Sequence, residues 1–88
     1  MENPKNQHAL VIWYLLNYDT ISLKFVINDS MFFKMQTRLS EIESEQGKIS
    51  NRYKCKFVNR FGRKSDYNMY SSCLDRNKML ALYKEYNA

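Results

Sequence analysis

The chain has 88 residues, 26% of them charged and 44% hydrophobic, with a formal net charge of +5 at neutral pH. One domain with a modest core is what that length permits. The only continuous apolar run, ALVIWYLL at 9–16, is too short to cross a bilayer, and neither its flanks nor the NYDTISLK behind it resemble a cleaved signal, so a cytoplasmic protein with no membrane partner is expected.

The first predicted element is a helix from about Gln7 to Asn17–Asp19, after Pro4 and the polar KNQ. Leu10, Trp13 and Leu16 form its apolar stripe, widened by Val11, Tyr14 and Leu15, which makes it central to the core. Thr20 and Ser22 are both candidate N-caps for a second helix of about two turns over LKFVIN. NDS at 28–30 reads as a turn that starts a third helix over roughly 31–46. On that helix Phe32, Met35, Leu39 and Ile42 recur at helical spacing and define the buried face. Phe33, Lys34, Thr37, Ser40, Glu41 and Ser44 face the other way, with Arg38 at their flank, and Gly47 stands where a left-handed cap is expected. Short helices in succession across a polar turn describe a helix-turn-helix, spanning about 7–46.

After Gly47 the period changes to two. Tyr53, Cys55 and Phe57 alternate with Arg52, Lys54 and Lys56, as in a half-buried strand with a basic outer face. NRFGRK at 59–64 supplies a reversal in which Gly62 takes a positive φ, and SDYNMY at 65–70 returns. A hairpin at about 50–71, directly after a helix-turn-helix, is a wing. Asp75 then caps a last helix over about 75–87, whose Met79, Leu82, Tyr83 and Tyr86 form a stripe for the core or for a second copy in a homodimer. The expected fold is therefore α+β: three helices, a two-stranded wing and an extra C-terminal helix.

Lys48, Arg52, Lys54, Lys56, Arg60, Arg63 and Lys64 carry the whole positive excess, since no acid separates them and the other seven Lys and Arg stand against nine acids. Such asymmetry points to a polyanion, most commonly nucleic acid, with an unpartnered solvated face as the plain alternative. No spaced carboxylate pair, nucleophile elbow or phosphate-cradling glycine loop is present. His8 stands alone, and Cys55 and Cys73 lack metal or redox spacing, so they are expected as buried, reduced thiols. The chain is expected to be no enzyme and to use no metal or cofactor.

From about Leu10 to Tyr70 the chain resembles the small winged helix-turn-helix domains of bacterial prophages and conjugative or transposable elements. The residues that carry the likeness are Ile21 and Ser22 at the start of the second helix, RLSEIE at 38–43 followed by Gly47 and Ile49, and NRFGRK closing on Tyr70. The resemblance implies a DNA-binding role in the regulation, excision or replication of such an element.

On this reading Arg52, Lys54, Lys56, Arg60, Arg63 and Lys64 track phosphates of duplex DNA, which positions the protein without reading sequence. Arg60 or Arg63 could enter a minor groove; Phe61 beside them either packs on its neighbouring strand or acts as an apolar wedge. Lys34, Thr37, Arg38 and Ser40 are the candidates for base edges, and Phe33 for a thymine methyl. The competing possibility is a viral accessory protein that keeps the scaffold but binds a host protein, such as a component of a defence system, through Phe33, the third helix's carboxylates and the C-terminal stripe. Monomer and homodimer both stay open.

Overall fold

In the computed structural model, which describes Glu2–Ala88, the elements run α1 (Gln7–Tyr18), β1 (Thr20–Ser22), α2 (Leu23–Ser30), α3 (Met35–Gln46), β2 (Ser50–Val58), β3 (Lys64–Ser72) and α4 (Arg76–Tyr86). The strands form one antiparallel sheet in the order β1-β3-β2. Four helices with such a sheet, and a hairpin directly after α3, make an α+β fold consistent with a winged-helix-like topology.

α1 begins where the Asn6 side chain accepts the Ala9 N–H at 2.8 Å, satisfying a first-turn amide that has no helical partner. It ends at Asp19, whose left-handed backbone (φ 62°) turns the chain straight into β1. α1 is enclosed more widely than its stripe suggested: Ala9, Val11, Ile12, Tyr14, Leu15 and Leu16 are buried, while Leu10 and Trp13 are only partly so. α3 packs on one side of it and α4 on another, and the sheet closes the core through Ile21 and Tyr70.

β1 is a strand that the sequence did not announce. Thr20 and Ser22 were expected as alternative caps; both belong to the strand, and Ser22 also caps α2 by accepting the Phe25 N–H at 3.2 Å. The expected turn at Asn28–Ser30 is corrected as well, because these residues complete α2, and the reversal falls on Met31–Lys34. Tyr14 explains the extension: its hydroxyl donates to Asp29 Oδ2 at 2.6 Å and lies 2.8 Å from Ser30 Oγ, tying the end of α2 to α1. α2 stops at Met31, which is left-handed (φ 57°) and returns its N–H to the Ile27 carbonyl. α3 therefore starts at Met35 rather than between 31 and 33, with Phe32, Met35, Leu39 and Ile42 all buried.

Gly47 closes α3 with φ 82° and ψ −174°, a positive φ but not a left-handed helical turn, in a region that only glycine enters readily. The chain then crosses into β2 under a clamp: Glu43 accepts the N–H groups of Ile49 at 2.9 Å and Ser50 at 3.2 Å. Asp75 caps α4 through the Lys78 amide at 2.8 Å, as its position implies. Met79, Leu82 and Tyr83 are buried against the rest of the core, and Tyr86 is packed at its edge. The stripe offered above as a dimer surface is thus consumed inside the chain, because α1 has an apolar face that no other element covers.

Candidate nucleic-acid interface

β2 and β3 are nine residues each, but β1 pairs only with Met69–Ser71, so the outer part of the hairpin has no third strand and projects from the body. The molecule is accordingly elongated, 45 × 22 × 20 Å. Side chains of directly paired residues share a face of a sheet. Ile21, Tyr70 and Arg52 are in line across the three strands, and Ile21 is buried, so this is the face turned toward the helices. Lys54, Lys56 and Lys64 continue it outward, opposite Asn68, Asp66 and Val58.

This corrects the expected orientation of the wing. The basic row was assigned to the outer face and Tyr53, Cys55 and Phe57 to the packed one. At the wing root register puts the basic row, through Arg52 and Tyr70, on the face of buried Ile21, but Arg52, Lys54 and Lys56 themselves stay exposed. The hairpin reaches so far beyond the core that Tyr53 (43%) and Phe57 (39%) on the opposite face are substantially exposed too. Phe57 is instead covered by Lys24 of α2, whose ammonium sits 3.8 Å from the ring centroid. Cys55 is half-buried and Cys73 exposed, so neither thiol is buried as expected; both are free.

The wing tip is held by one side chain. Asn59 Oδ1 accepts the amides of Phe61 at 2.9 Å and Arg63 at 3.0 Å, the Asn59 N–H donates to the Arg63 carbonyl at 2.9 Å, and Gly62 takes φ 79°. Arg60, Phe61 and Arg63 are all exposed.

α3 reaches the wing through its first turn, where Gln36 Nε2 donates to the Tyr70 hydroxyl at 3.3 Å. A groove lined by Glu43, Lys48, Ser50, Arg52 and Tyr70 continues between helix and hairpin. Thr37 and Ser40 are exposed on α3, with Ser44 a turn further on. Phe33 and Lys34 precede the helix instead of lying on it; Phe33 is 60% exposed, and Lys34 occupies the N-cap position without a capping side-chain bond.

Arg38 is the clearest departure among the candidate base readers. Its Nε donates to Gln7 Oε1 at 2.9 Å and its Nη1 to Glu41 Oε1 at 2.7 Å, so the guanidinium is engaged against α1. Glu41 also meets His8 Nε2 at 3.1 Å, and the Arg38 hydrogen bond, with a smaller share from His8, holds the Glu41 carboxyl below its ordinary 4.5. Glu45 accepts from the Tyr86 hydroxyl at 2.6 Å; burial, and then this bond, raises the phenol's pKa. The three α3 carboxylates are therefore all committed to partners within the fold, Glu43 at the wing root and the other two toward α1 and α4.

Sequence reasoning missed the neighbours that join these pieces: Lys24 against Phe57, and Gln36 beside Tyr70. Lys24 and Gln36 stand in α2 and α3 with nothing in their own segments to mark them, since their role comes from the hairpin lying against them. Among the described residues no group of His, Cys, Asp and Glu could hold a metal ion, and no helix is long and apolar enough to cross a membrane. A scan of protein-family models, a search of curated proteins and a search of solved structures found no match to this chain.

Proposed function

We propose that this chain is a non-enzymatic, duplex-DNA-binding winged helix-turn-helix protein, serving a phage or mobile element as a transcriptional regulator or as an architectural factor in excision or replication. The observation that carries the proposal is the shared face of Arg52, Lys54, Lys56 and Lys64, on the side of the sheet that α3 adjoins. Phosphates along one strand would meet this row and the tip arginines Arg60 and Arg63, while Thr37 and Ser40, with Lys34 before them, are left to approach base edges. Glu41 and Glu45 are drawn toward α1 and α4 and Glu43 is bound to backbone amides at the wing root, which leaves Asp66, opposite Lys56, as the acid on the basic face.

The test is an anisotropy titration of random duplex DNA at several salt concentrations, with the intact chain and an Arg60→Ala, Arg63→Ala variant. Both side chains are exposed, so the variant keeps its fold. Binding should weaken about equally for all sequences, and the slope of log K against log salt should fall by roughly one per lost phosphate contact. An unchanged affinity and slope would return the basic stretch to a solvated face.

The second possibility, docking to a host protein, keeps support from one observation: Met31 and Phe33 are 69% and 60% exposed on the same turn. Its other proposed contacts are spent, the carboxylates in hydrogen bonds and the C-terminal stripe in the core. A Phe33→Ala variant that loses a protein partner while retaining DNA affinity would favour it.

A further inference from the structure

We infer that the wing tip carries an intercalating wedge: Phe61 enters the minor groove of duplex DNA and partly unstacks one base step, so that the protein bends its site. The inference deepens the DNA-binding reading above and rests on it. Phe61 is 81% exposed, the most exposed large hydrophobe among the described residues. It had a nearer option, packing on the adjacent strand, and does not take it. Isolated exposed hydrophobes are common, so exposure alone would decide nothing.

What sets Phe61 apart is the way its backbone is fixed and what stands on either side. Asn59 Oδ1 accepts the Phe61 and Arg63 amides together, and the Asn59 N–H bonds back to the Arg63 carbonyl. The ring is therefore presented from a short, internally bonded turn at the end of a projecting hairpin, with little backbone entropy left to lose on insertion. Arg60 and Arg63 flank it; the Arg60 guanidinium is 6.0 Å from the ring centroid, close enough to stay beside it without covering it. Cations of this kind are attracted to a narrow minor groove, and an apolar side chain between them can wedge into a flexible pyrimidine–purine step. Lys64, Lys56 and Lys54 then follow back along one face of the hairpin, placed to meet phosphates that flank the opened minor groove while the kink turns the duplex toward its major groove, away from the inserted ring.

The experiment uses the full chain with duplexes that carry 2-aminopurine at a central TA step, and with the same duplexes labelled at both ends for energy transfer. Wild type should raise the 2-aminopurine fluorescence and bring the duplex ends closer at saturation. Phe61→Ala should lose both signals and bind roughly tenfold more weakly, the scale of one lost base–aromatic stack, with an unchanged salt slope. Phe61→Leu, which keeps an apolar wedge, should retain most of the bend. If wild type binds duplex DNA at saturation with neither signal, or if Phe61→Ala keeps both, the wedge is overturned while DNA binding stands. If wild type binds no duplex even at low salt, the DNA-binding reading itself falls, and the wedge with it.

Discussion

Glu43, in the last two turns of α3, accepts the backbone N–H of Ile49 at 2.9 Å, across the corner that Gly47 makes. The same carboxylate takes the Ser50 amide at 3.2 Å and lies 3.3 Å from its hydroxyl, so one side chain sets the angle at which the hairpin leaves the helix. A wing and a neighbouring helix can act on one duplex only if that angle is kept.

Replacing Glu43 with Ala should therefore cost about 1–3 kcal/mol, the range for a charged acceptor whose part-buried donors lose their partner. The Ile49 and Ser50 amides should lose hydrogen-exchange protection before those of α1 do. Urea unfolding and exchange by NMR check this; a stability change within a few tenths of a kcal/mol would mean that water replaces the clamp.

Arg38→Ala should act on stability, not on sequence preference. The pair with Glu41 is solvent-screened, so the loss should be small, read as a slightly lowered urea midpoint. Binding-site selection with wild type and variant should return the same consensus, whereas Thr37→Ala should relax it at one position. A flattened preference in Arg38→Ala with unaltered stability would show that the guanidinium leaves Gln7 and Glu41 to read a base.

Met31 caps α2 in the left-handed region although it has a Cβ, and its side chain is 69% exposed. Met31→Gly should relieve that strain with little packing lost and raise stability by about 0.5–1 kcal/mol. Thermal unfolding checks the sign; destabilisation would show that the Met31 side chain has contacts that outweigh the backbone strain.

Leu82 is 7% exposed between α4 and the rest of the core. Leu82→Ala should destabilise by about 2–4 kcal/mol through lost burial and the cavity left behind. Sedimentation should give the same assembly state for parent and variant. A stable variant that changes from dimer to monomer would restore the stripe to an interface.

Much of the architecture could be read locally. The spacing of Phe32, Met35, Leu39 and Ile42, the cap at Asp75 and the positive φ at Gly62 all follow from side-chain and backbone preferences that act within a turn or two of chain. The boundary between α2 and α3 did not, because Asn28–Ser30 favour a turn by themselves and are drawn into the helix by the Tyr14 hydroxyl, which bonds Asp29 and Ser30 from 15 and 16 positions earlier in the chain.

By itself the sequence determined the order of helices and hairpin, the concentration of cations in 48–64, and the alternation of that stretch, since periodicity and charge are properties of neighbours. Only the tertiary structure decided which face of the hairpin the cations occupy. A period of two says that two faces differ; it cannot say which one turns toward the helices until β1 pairs with β3 and Ile21 enters the core. The partners of Arg38, Glu41 and Glu45 were decided in the same way, by α1 and α4 arriving beside α3, because an exposed charged side chain takes whichever opposite charge or hydroxyl the packing brings within reach.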